Sequence, residues 1–307
     1  MRVATFKEKM EPASSSAEFM TSDKKPVSPI ADRALEWFYR FAASGYIPSH
    51  WVGPDFSSLK GLTEADGKLT LEIVSHCWNY ANILTYQLGS LVLFPPREIN
   101  VIMTVFFTPE DRETREVMEY YGQKDIPGVT WNWRALPGHY LFRRAFGRNL
   151  AAKNTRADWI FFTDCDVLFR EQSLNILGKQ LRDREDLLVY PRYHMVSELL
   201  SNDDPLFEDY KTRGMLRDIE PHRFYREERN RAVGAFQIVR GDAARLGGYC
   251  DSISYYHRPV KRWRKTYEDR AFRWLLGTQG TMLEIPGFYR IRHTQKGRKG
   301  KKVGVNP

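Results

Sequence analysis

Asp164 and Asp166 are separated by one residue and follow directly on the apolar run Trp159-Ile160-Phe161-Phe162. Such a run suits a strand buried on both faces, and in open α/β sheets ligands bind beyond the carboxyl ends of the strands. Two carboxylates at that place suit a hard divalent cation. Mg²⁺ or Mn²⁺ takes few protein ligands and completes its shell with phosphate oxygens. A metal so held offsets the charge that develops on a leaving diphosphate. The rival reading of the pair is a turn or a helix cap, for which Asp is equally suited.

The elements around the pair must position it. Leu69 to Ser75 has strand composition, Ile99 to Phe107 is almost continuously apolar, and Val129 to Leu136 and Trp159 to Phe162 predict two further strands. Between them, Asn82 to Leu93, a segment opened by Pro109-Glu110-Asp111, and the basic stretch Leu141 to Asn154 have helical patterns. The alternation predicts an α/β fold, with a mostly parallel, doubly wound central sheet flanked by helices. Later, Leu187 to Tyr190, Ala235 to Val239 and Thr281 to Ile285 predict strands, and Tyr267 to Leu276 a helix. Residues 195–231 are strongly polar and suit either an acceptor-side lid or a solvated helix. Leu35, Phe38, Tyr39 and Ala42 recur at helical spacing, predicting an N-terminal helix packed on the body.

Four segments, in order, resemble the inverting GT-A glycosyltransferases, in particular the family-2-like group. Ile73-Val74-Ser75-His76-Cys77-Trp78-Asn79-Tyr80 looks like the first strand and its nucleotide-contacting turn. Gly147-Arg148-Asn149-Leu150-Ala151-Ala152 is similar to the helix that precedes the metal strand, and Asp164-Cys165-Asp166 to the Asp-x-Asp motif. Gly247-Gly248-Tyr249-Cys250-Asp251, followed by Tyr267-Glu268-Asp269, resembles the late glycine and acidic elements. The resemblance implies a GT-A, Rossmann-like fold and a metal-dependent transfer of sugar from a nucleotide-sugar, UDP-linked by default, with inversion. It implies that Asp269 is the general base, supported by Glu268. It implies a donor site of His76, Asn79, Arg148, Asn149, Asp164, Gly247 and Gly248, and a metal shell of Asp164, Asp166 and His293.

Each position also has a plain structural reading. Arg148 can hold a diphosphate by charge-assisted hydrogen bonds or lie on a solvated helix face with Arg143 and Arg144. Asn149 can bond the nucleotide or cap a turn, and Gly247-Gly248 can admit a sugar or simply turn the chain. His76 can touch the nucleotide or pack in the core, and His293 can ligate metal or face solvent beside the basic tail. One departure stands out: the second strand ends Phe106-Phe107-Thr108, without the Asp that often reads the base or ribose in the family.

The chain has 307 residues, 42% of them hydrophobic, which is enough to bury a sizeable core. Its net charge of +9 favours anionic partners. The three scattered cysteines and the absence of a signal-like apolar segment predict a cytoplasmic setting. The basic runs Arg258 to Lys265 and Lys296 to Lys302 suit peripheral contact with an anionic membrane, where a lipid-linked glycan would serve as acceptor. The expected divisions are a flexible arm (1–30), a helical extension (31–68), the GT-A domain (69–293) and a basic tail (294–307). A nucleotidyltransferase would carry a phosphate loop rich in Gly and Lys after the first strand, and His76-Cys77-Trp78-Asn79-Tyr80 is not one. A nucleic-acid-binding protein would show a basic-aromatic module, and none is found, so no nucleic-acid partner is expected.

Overall fold

The computed structural model describes residues 29–59, 67–261 and 266–293. The expected arm (up to residue 28), the basic tail and residues 262–265 of the first basic run lie outside the described residues.

Helix α1 (Pro29–Phe41) opens the chain and is followed by a wide turn in which Gly45 takes a φ of 95°. The α/β body then unfolds in the predicted order. It runs β1 (Thr70–His76), α2 (Ala81–Leu93), β2 (Asn100–Phe107), α3 (Arg112–Gly122) and β3 (Val129–Ala135). The short α4 (Gly138–Leu141), α5 (Arg144–Asn154) and β4 (Trp159–Phe162) follow. The basic stretch predicted as one helix is therefore two, broken at Phe142-Arg143.

Side-chain alternation splits each apolar strand between two cores. Leu71 and Ile73 of β1, Met103 and Val105 of β2, and Trp159 and Phe161 of β4 join one cluster with Leu84 and Leu88 of α2 and Val117 of α3. Val74, Phe106, Ile160 and Phe162 join the other, with Phe146 and Ala152 of α5. Burial on both faces is the reason these strands read as unbroken apolar runs.

The remaining elements are β5 (Val167–Phe169), α6 (Ser173–Leu181), β6 (Leu188–Pro191), β7 (Tyr193–Ser197) and β8 (Phe224–Glu228). After them come β9 (Gln237–Arg240), α7 (Gly241–Gly247), α8 (Glu268–Leu275), β10 (Thr281–Leu283) and β11 (Phe288–Arg290). The main sheet has the order β10-β6-β9-β4-β1-β2-β3. It is parallel except for β9, which runs antiparallel to both β4 and β6. A second sheet, β5-β11-β7-β8, begins where the first leaves off. One of the connections between them is the turn that carries Asp164 and Asp166, joining β4 to β5.

One expectation changes. Residues 195–231 are not one solvated helix: they hold the end of β7 and the short helical turn Tyr210–Arg213. They supply β8 and a packed layer in which Leu206, Ile219 and Phe224 bury against Ile83 and Tyr86 of α2. Arg217, buried, lies over the Tyr86 ring. The N-terminal extension packs on the body, as its apolar spacing predicts. Trp274 donates to the Ile47 carbonyl at 2.7 Å, Arg240 donates to the Leu59 carbonyl at 2.8 Å, and Phe56 packs into the second core.

Candidate active site

The Asp164–Asp166 turn is held from three sides by backbone and amide contacts. Thr163 extends the pairing of β4 with β1 through a bond to the Val74 carbonyl. Gln87, buried in α2, donates from Nε2 to the carbonyls of Asp164 (3.0 Å) and Val167 (2.7 Å). The Ile291 amide donates to the Asp166 carbonyl at 2.9 Å. An amide in an otherwise apolar helix is costly unless bonded; Gln87 is bonded to the turn, which fixes where the two carboxylates stand.

Three guanidinium groups face those carboxylates. Arg144 donates to Asp164 Oδ1 at 2.5 Å, Arg148 reaches the same oxygen at 3.4 Å, and Arg290 lies 3.6 Å from Oδ2. Arg290 also donates through Nε to Asp166 at 3.2 Å. Burial disfavours the charge on Arg144 and Arg290, but the neighbouring carboxylates outweigh it and raise both above the usual arginine range. Arg148 is fully buried and donates to the Tyr249 hydroxyl (2.9 Å) and to the carbonyls of Gly234 (2.7 Å) and Thr163 (3.2 Å). The solvated-face alternative for these arginines is thereby overturned: α5 turns Arg144 and Arg148 inward, toward the Asp164–Asp166 turn.

Sequence reading passed over Arg144 and Arg290 as site residues. Arg144 was accessible to it, because it stands four residues before Arg148 and so on the same helix face. Arg290 was not. It reaches the site because β11 pairs antiparallel with β5, with Arg290 opposite Val167, the residue after Asp166.

The two late acids separate. Glu268 is buried, accepts from the Thr266 hydroxyl at 2.5 Å and pairs with Arg144 at 3.2 Å. Burial raises its pKa, yet Arg144, the Thr266 hydroxyl and Arg148 together hold it below the usual glutamate range. Asp269 is different: its side chain is 30% exposed, and its nearest cation, Arg273, is 3.7 Å away. Asp269 is the one of the two that can meet an acceptor hydroxyl. Glu268 anchors Arg144, which in turn holds Asp164.

Other expected donor residues have structural employment. Asn149 accepts from the Tyr249 amide and donates to Asp251, both at 2.8 Å. Gly248, at φ +59°, sits so close that a Cβ there would be 2.3 Å from Asn149 Oδ1 and 2.6 Å from Asp251 Cβ. A Cβ on Gly247 would meet the Phe56 ring at 2.7 Å. These three residues form a turn and its staple; none is engaged with the carboxylate pair. Gly248→Ala should lower unfolding free energy by about 2–4 kcal/mol, from the left-handed backbone and the forced contact. A urea midpoint unchanged from the parent would refute this.

His76 stacks on Phe106 at 5.0 Å, and both ring nitrogens are buried without a hydrogen-bond partner among the described residues. Burial, then Arg148 and Arg144, push its pKa well below that of ordinary histidine, so the ring is neutral. Asn79 is exposed at φ 53°, with its amide held by Asp111 at 2.6 Å. Asp111 also caps α3 through the Thr114 amide, so the first acid beyond Glu110 after β2 braces the His76–Tyr80 turn. His293 is buried with its ring edge-on to Tyr80 (5.2 Å) and near Phe207 (5.7 Å). Among the described residues no three His, Cys, Asp or Glu side chains gather as a metal cluster.

The carboxylate pair nonetheless fits a cation of the kind completed by its substrate. Asp166 Oδ1 is buried and has no hydrogen-bond partner among the described residues. A carboxylate oxygen in that condition has the capacity to accept from water or to ligate a cation. Mg²⁺ and Mn²⁺ sites that also bind phosphate need one or two such oxygens.

No family model matches the chain, and no curated protein matches it. Among solved structures it is similar to S. aureus TarS 1–349, at 12% identity and a TM-score of 0.44, over 73% of this chain and 60% of that one. It is also similar to the mannosyltransferase PcManGT from Pyrobaculum calidifontis in complex with GDP-Man and Mn²⁺, at 14% identity and a TM-score of 0.40, over 85% of this chain and 65% of that one. The chain spans less than two thirds of the length of either structure. At these values the likeness concerns the fold, and nothing about the chemistry of this chain follows from it.

Proposed function

We propose that the protein is a metal-dependent glycosyltransferase that moves a sugar from a nucleotide-sugar, by default a UDP-sugar, to a hydroxyl of a glycan or glycolipid, with inversion. The observation that carries this reading is the opposition at one sheet end of a carboxylate pair with an orphaned oxygen and a part-exposed carboxylate, Asp269, with arginines between them. Asp166, with Asp164, would hold Mn²⁺ or Mg²⁺, which neutralises charge on the departing diphosphate when bound. Arg144 and Arg290 turn from the carboxylates toward the phosphate oxygens, for which a guanidinium is well matched. Glu268 keeps Arg144 in place as this exchange occurs. Asp269 accepts the proton of the acceptor hydroxyl as its oxygen attacks the anomeric carbon opposite the diphosphate.

The test is calorimetric titration of a panel of UDP- and GDP-sugars with Mn²⁺ present and absent, followed by NMR of the product anomer. The expected result is metal-enhanced binding of at least one donor and an inverted product. If every nucleotide-sugar fails to bind, the reading falls; a retained configuration would remove inversion alone.

A further inference from the structure

Helix α1 has two apolar faces. Leu35 and Tyr39 pack against the second core. On another face Ala34, Trp37, Phe38 and Phe41 recur at positions i, i+3, i+4 and i+7 and stay exposed. Trp37 is 71% exposed and Phe41 54%. Beyond the helix Tyr46, also exposed, stacks on Phe41 with ring centroids 5.1 Å apart, and Trp51 is exposed as well. Single exposed apolar residues are ordinary, but a contiguous set of large ones marks an interaction surface.

The composition of the set and its charged border select the partner. Trp and Tyr carry an apolar body with a polar edge and favour the boundary between water and lipid. Arg40 lies over the rings of Trp37 (5.6 Å) and Tyr267 (4.2 Å). Arg270 donates to Ser44 Oγ at 2.6 Å, and Arg258 pairs with Asp32 at 3.0 Å. The other acid of the helix, Glu36, accepts from the Tyr255 hydroxyl. The rim is thus cationic, on a chain of net charge +9. A second copy of the chain would bring like charges together; an anionic lipid surface would not.

We propose that this aromatic face docks the protein on an anionic phospholipid surface. Trp37, Phe38 and Phe41 enter the headgroup region, and Arg40, Arg258 and Arg270 meet the headgroups. Among the described residues no helix is long and apolar enough to cross a membrane, so the contact is peripheral. α1 and the turn after it pack on α8, whose first turn bears Glu268 and Asp269. Docking would therefore present the acceptor side of the site to the lipid surface; that last step alone rests on the proposed function.

Vesicle sedimentation of the full chain tests the surface. Phosphatidylcholine vesicles containing phosphatidylglycerol should bring the protein down, and vesicles of phosphatidylcholine alone should not. The double variant Trp37→Ser, Phe41→Ser should partition roughly 30-fold more weakly or worse, from the apolar area withdrawn from the bilayer. Trp37→Phe should keep most of the binding, and neither variant should alter donor affinity or the thermal melt. Sedimentation of the double variant at the parent level would overturn the proposal. So would a parent protein that ignores both vesicles, or a dimer split by the substitutions without any vesicle binding. Vesicle binding without binding of any nucleotide-sugar would sink the functional reading and leave this one standing.

Discussion

Asp269→Asn should lower sugar transfer by about 10²–10⁴-fold while donor affinity stays within about twofold. The size follows from removing a positioned general base while keeping the shape of the side chain. Retained donor affinity follows from the pairing, because the Asp269 carboxylate pairs with Arg273, whereas Arg144, Arg148 and Arg290 pair with Asp164, Asp166 and Glu268. Glu268→Gln should behave differently. It removes one charged partner of half-buried Arg144, so both stability and donor binding should decline. Stopped-flow transfer assays beside calorimetric donor titrations separate the two. If Asp269→Asn turned over normally and Glu268→Gln abolished transfer with donor affinity intact, the roles assigned here would be reversed.

The second large effect is expected at the metal turn. Asp166→Asn should weaken donor binding in Mn²⁺ by roughly 100-fold and leave binding without metal almost unchanged, since it removes the charge behind the orphaned oxygen. Arg290→Gln should do the converse. Its loss removes a contact to the diphosphate and also frees Asp164 Oδ2 and Asp166 Oδ2 of a competing cation. Metal affinity measured directly, by Mn²⁺ electron paramagnetic resonance, should therefore rise in Arg290→Gln and fall in Asp166→Asn. Equal loss of metal in both variants would mean that the arginine supports the cation instead of competing with it.

The sequence carried the order of elements because the strands at the centre are buried on both faces, and a two-sided apolar run cannot be mistaken for a surface segment. It carried the place of Asp164 and Asp166 for the same reason, since they simply follow such a strand. Residues 195–231 were misread because their charges are spread over short elements whose burial depends on α2, a distant helix. Asn149 and Gly248 have the right types for a donor site, and the structure adds that they also brace the turn after α7.

What the sequence determined by itself was thus the carboxylate pair, its strand and the acidic pair Glu268-Asp269. Tertiary structure alone decided which charges face them. Arg144 meets Glu268, and Arg290 meets Asp166, across separations of 124 residues in each case. Contacts of that range depend on strand register and on which helix face turns inward, and neither is encoded in a local pattern. The same packing divided two adjacent acids into a buried one and a part-exposed one, and it left the aromatic face of α1 turned outward.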